Sequence, residues 1–150
     1  MYLIIFKPGF VKKIFAVISI TGTLFIACKK ETTSSTDVSM DPVDTTAQLK
    51  YRGTFSSGPY GTTTGVAKIY AKTNMYSLVL DSFTVSNGPD LHVYISKEKQ
   101  PVNFIDLGTL RTTSGTQVYN ISGMPDFMEY KFALVHCQQF NHLFGSANLF

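Results

Sequence analysis

Two cysteines and three histidines, in a chain of 150 residues, hold most of its nucleophilic and metal-ligating capacity. Cys137 is the informative one. Its only possible partner, Cys28, lies directly behind an apolar run near the N-terminus. A thiolate is a nucleophile, a redox group and a sulfur ligand, so a lone thiol in the folded part suggests a redox centre or a sulfur ligand. The bland role is that of a small apolar side chain packed in a central strand. His92, His136 and His142 could hold a metal, with or without Cys137, if the fold brings them together. Asp90 follows Gly88-Pro89 and reads first as a turn residue. Tyr94 alternates with apolar neighbours. Strand alternation puts His136 on the opposite face from Cys137, so His142 and the turn after Cys137 are better placed to act on the sulfur. No glycine-rich phosphate loop, paired-cysteine metal motif or His-Glu helix motif is present, so no catalytic residue is assigned and the chain reads as an accessory module rather than an enzyme. The residues require no cofactor.

The elements that position these groups follow from residues 50–150. Short apolar or alternating runs rich in Thr, Val, Tyr and Phe are separated by Gly, Pro, Asn and Asp. About eight strands are expected: 51–56, 65–72, 76–85, 91–96, 104–110, 117–121, 130–137 and 146–150. No window sustains a 3.6-residue apolar period, so the expected fold is all-β, an antiparallel sandwich or barrel. Leu91, Val93, Ile95, Phe132, Leu134 and Val135 are expected core. Tyr76, Leu78 and Leu80 would share one face of their strand, leaving Val79, Phe83 and Val85 for the other. Phe132 to Cys137 is apolar on both faces, as in a central strand covered on both sides. Cys137 is expected near the surface where that strand ends, under the Gly88-Pro89-Asp90 turn, with Tyr94 or His142 lining an opening.

The N-terminal segment has a different composition. Lys7, Lys12 and Lys13 precede an apolar stretch from Ile14 to Phe25, of signal-peptide length and shorter than the about 20 apolar residues that span a bilayer. Leu24-Phe25-Ile26-Ala27-Cys28 then resembles a bacterial lipobox. The resemblance implies cleavage after residue 27 and acylation of Cys28, giving a lipoprotein anchored to a membrane of the cell envelope. No Asp follows Cys28 to hold it at the inner membrane, so the expected site is the outer membrane, on its periplasmic or surface side. Residues 28–49 are polar and read as a flexible tether. Of 13 Lys and Arg, three lie in the signal, leaving ten against ten Asp and Glu. A formally neutral domain argues against nucleic acid as a partner.

Gly88-Pro89-Asp90-Leu91-His92-Val93-Tyr94 resembles a signature of the electron-transfer DM-thirteen (DM13) domain family. So do Asp106-Leu107-Gly108-Thr109-Leu110, Gly115-Thr116-Gln117-Val118-Tyr119, the segment Val135 to Asn141, and Phe144-Gly145-Ser146-Ala147-Asn148-Leu149. Gly53-Thr54-Phe55 and Gly65 to Ile69 fit its opening, in order, from about residue 50 to residue 150. The resemblance implies a β domain with a characteristic Cys, here Cys137, acting in redox or electron transfer with a redox protein as partner. Many members carry a His four residues before the Gly matched by Gly65; here that residue is Gly61. Two other functions stay open: a protein- or glycan-binding β-sandwich with Cys137 merely packed, and a small metal or haem carrier.

Overall fold

A computed structural model describes residues 42–150. The expected signal peptide, Cys28 and most of the expected tether lie outside the described residues. Eight antiparallel strands and no helix form the described part. They are β1 (Gln48–Ser57), β2 (Thr63–Lys72), β3 (Met75–Val85), β4 (Leu91–Ser96), β5 (Phe104–Thr109), β6 (Ser114–Ile121), β7 (Phe132–Cys137) and β8 (His142–Asn148). They make one sheet in the order β5-β4-β7-β8-β1-β2-β3-β6. The sheet curls into a nearly closed barrel, with a gap between β5 and β6. The expected all-β fold is the observed one.

The interior is filled by alternating side chains: Phe55, Ala67, Ile69, Leu78, Leu80, Phe83, Leu91, Val93, Ile95, Ala133, Val135, Cys137 and Phe144 among others. Phe55 and Phe83 meet edge-on there at 5.4 Å, a favoured aromatic geometry. Leu91, Val93, Ile95 and Val135 are core as expected. Leu134 is buried on the opposite face, where it joins Tyr94 and Leu143, with half-buried Phe132 against them. β7, between β4 and β8, is thus buried on both faces.

Local chemistry shapes the turns. Lys72 pairs with Met75 across a two-residue turn in which Thr73 and Asn74 both take positive φ (42° and 60°). This twist matches the flanking strands. In β3 the simple alternation fails. The register slips between Leu80 and Phe83 against β6, and Ser82 takes a φ of 49°. A bulge adds one residue to the count, so Phe83 and Val85 point into the same core as Leu78 and Leu80. Only Val79 of the three residues expected on the opposite face remains there, buried but outside that core.

β1 begins at Gln48, two residues ahead of the expected domain start. Pro42, Val43, Asp44 and Ala47 line a cleft of about 160 Å³ with Tyr70, Lys72, Met75, Val79 and Val118. An Asp44–Lys72 ion pair ties that segment to β2. None of the candidate site residues lines this cleft. β8 starts at His142, four residues earlier than expected, so His142 belongs to a strand rather than to the preceding turn.

Candidate functional site around Cys137

Cys137 is the last residue of β7 and pairs with Leu91, the first residue of β4, and with His142, the first of β8. Three neighbouring strand ends therefore meet at the sulfur. The Gly88-Pro89-Asp90 turn closes over them. The Cys137 thiol donates to the Pro89 carbonyl at 2.9 Å, and the Gln138 amide donates to the Asp90 carbonyl at 3.0 Å. Asp90 takes a φ of 52°, a left-handed conformation that Asp tolerates better than most residues. That turn lets the chain fold back so that Pro89 points its carbonyl at β7.

The sulfur is buried, only 1% exposed, and belongs to the main core. This corrects the expectation of a near-surface thiol. Alternation carries Val135 and Cys137 inward together, and the turn expected to frame an opening instead caps the sulfur. Asp90 adjoins the sulfur through the cap, while Tyr94 lies on the opposite face of β4 with Leu134 and Leu143. Burial above all raises the Tyr94 phenol's pKa, the Asp106 and Asp90 carboxylates add to the rise, and a Gln138 side-chain hydrogen bond opposes it.

Phe144 packs the underside of the same end. Its ring would meet a Cβ added to Gly88 at 2.5 Å, and it also fills the space a side chain on Gly61 would need. Both glycines are required for close approach rather than for backbone freedom.

The three histidines take separate roles. His142 stacks on Tyr60, with ring centres 3.6 Å apart and planes within 2°, and Phe140 lies 5.9 Å away. Its ring is thus committed to a partly exposed aromatic group beside the cap. His92 and His136 are direct cross-strand partners on β4 and β7, on the face opposite the sulfur. The His92 Nδ1 lies 3.0 Å from Asp106 and its Nε2 lies 3.3 Å from Asp90. Asp106 reaches His92 because the β4–β5 register shifts between His92 and Tyr94, with Gly108 at a φ of 104°. The same carboxylate accepts the Gly108 amide at 2.7 Å, which fixes it. Asp90 therefore does more than its expected turn role, since its carboxylate faces His92. His136 is buried, and neither ring nitrogen meets a hydrogen-bond partner in good geometry. Burial holds its pKa below the ordinary histidine value, and the approach of the Asn141 side chain as a weak hydrogen-bond partner offsets part of that.

Sequence reasoning did not single out Asp106, Pro89, Gln138 or Tyr60 as site residues. Asp106-Leu107-Gly108 carried a usable signal, an Asp two residues before a Gly at a bulge. The other three act through a carbonyl, an amide and a stacking face, for which residue type gives little warning.

A family comparison matches residues 54–149 to the electron transfer DM13 domain. The chain belongs to the electron-transfer DM13 family. The match runs from β1 to just beyond the end of β8 and takes in both the Cys137 cap and the His92 cluster. DM13 membership carries an electron-transfer-related role at the level of the family. No curated protein and no solved structure matches the chain significantly.

Proposed function

We propose that this DM13 domain is a lipid-anchored electron-transfer accessory module of the cell envelope, with the Cys137 thiol as its redox group and a redox protein as its partner. The observation that carries this reading is the capped thiol. Cys137 is the sole cysteine among the described residues, and its sulfur is held by the Pro89 carbonyl under a turn latched to β7. Buried and hydrogen-bonded to a backbone carbonyl, the thiol is out of reach of solvent and partners while the turn is closed. Release of the turn would expose the sulfur. The thiolate could then attack a partner disulfide, forming a mixed disulfide as the partner's second sulfur leaves with the electron pair. The thiol proton passes to solvent. Tyr60 and Phe140, both more than half exposed, offer an aromatic docking surface beside the cap. The anchor rests on Lys7 to Cys28, where a charged start, an apolar run and a lipobox-like end follow one another. Cys137→Ser is expected to fold normally and to lose mixed-disulfide formation with a small disulfide probe, whereas retained exchange would refute the assignment.

The near-complete burial of the sulfur favours a second reading, a protein- or glycan-binding barrel in which Cys137 only packs. The two readings separate on whether the native thiol reacts without unfolding.

A further inference from the structure

We propose that His92, His136 and Asp90 form a binding site for a divalent transition metal ion of the Zn2+ class on the outer face of β4 and β7, independent of Cys137 and of its proposed redox role. Three observations converge there. First, His92 and His136 are directly opposite each other in adjacent antiparallel strands. Side chains so paired start about 4.5–5.5 Å apart at Cβ, within the span of two imidazoles sharing one ion. Second, His136 is only 3% exposed and neither ring nitrogen meets a hydrogen-bond partner in good geometry, the Asn141 side chain approaching without satisfying it. Buried polar groups are nearly always satisfied, and an orphan calls for an explanation such as an ion. Third, His92 is already oriented as a ligand. The Asp106 carboxylate faces its Nδ1 at 3.0 Å, the outer-shell arrangement that fixes tautomer and ring direction in metal-bound histidines. This leaves Nε2 for the ion.

That Nε2 lies 3.3 Å from Asp90 Oδ1. Two ligands each about 2.0–2.2 Å from a tetrahedral ion sit about 3.3–3.5 Å from each other. The pair is therefore spaced as neighbouring ligands, and an ion placed between them would replace a weak contact with two strong ones. Among the described residues no three ligating groups already converge. The site closes by rotation of the His136 ring toward His92 Nε2 and Asp90, exchanging the approach of the Asn141 side chain for the ion. Two imidazoles, one carboxylate and a water suit Zn2+ and its neighbours better than Ca2+ or Mg2+, which require oxygen. His142, stacked on Tyr60, is outside the set.

The test uses the full chain with Zn2+ as the ligand and Co2+ as its visible stand-in. One equivalent should bind. His92→Ala and His136→Phe should each abolish stoichiometric binding, Asp106→Asn should weaken it about 10- to 100-fold, and His142→Ala should leave it unchanged. Imidazole NMR of the wild-type chain decides the matter even if His136→Phe fails to fold: Zn2+ should shift the resonances of His92 and His136 and spare those of His142. Absence of stoichiometric binding, binding that survives both substitutions, or unmoved His92 and His136 resonances would overturn the site.

Discussion

Gly61 and Phe144 show how a single position sets what the site can contain. The Phe144 ring occupies the space above Gly61 and Gly88, so a side chain at residue 61 competes with a core aromatic for one volume. Gly61→His should therefore overpack the cap and cost about 1–3 kcal/mol of stability. Phe144→Ala in the same chain should recover part of that loss, because the two side chains compete for one volume. A denaturant-melt double-mutant cycle measures the coupling, and strict additivity would refute the competition. The residue scale is also where sequence and structure part most clearly. Cys137, Asp90 and His142 lie at adjoining strand ends, whereas Tyr94 sits on the opposite face of β4 with Leu134 and Leu143. Burial of the sulfur was not legible, because whether a turn frames an opening or seals it depends on one carbonyl direction, set by the φ of Asp90.

At the scale of elements, strand existence was written in the alternation and the turn residues. β4 was legible to the residue, because Leu91, Val93 and Ile95 alternate without interruption between two clear turns. β3 was not. Its bulge at Ser82 shifts Phe83 and Val85 to the core face, and nothing in a run of apolar residues announces an extra residue in the register. β8 started early for a similar reason: Asn141 takes positive φ and closes a short turn, so His142 could re-enter the sheet at once. Pairing of β2 with β3 adds an electrostatic element. Lys68 forms an ion pair with Asp81, and this hydrogen-bonded cation holds the Asp81 carboxyl below its ordinary value. The folded state then binds a proton less readily than the unfolded chain. The stabilisation is present above the ordinary carboxylate value of about 3.9 and is lost as pH falls through it toward the lowered folded value. Urea midpoints between about pH 5 and pH 2 should fall with acid, and Asp81→Asn should flatten part of that slope. A slope unchanged by Asp81→Asn would remove this pair from the account.

For the whole molecule, an eight-stranded curled sheet supports a site built from strand ends, and residues 54–149 belong to the electron-transfer DM13 family. The proposed lipid anchor belongs to this scale, since it would decide where the domain meets the proposed partner. Wild-type chain expressed in a bacterium should fractionate with membranes, and Cys28→Ser should release it or leave it unprocessed. Stable attachment requires more than one acyl chain, because a single chain binds a bilayer only marginally. Soluble, unmodified wild-type protein would contradict the anchor. The redox claim is settled by the behaviour of one sulfur in the folded protein. Native chain is labelled with a thiol reagent over a pH series, with urea-unfolded chain as the reference. The capped-thiol account predicts that Cys137 labels without global unfolding, at a rate set by opening of the Gly88-Pro89-Asp90 turn and rising with pH as the thiolate forms. It also predicts a mixed disulfide under mild oxidation. Labelling only at the rate of global unfolding, with no mixed disulfide, would contradict it and make Cys137 a packing residue.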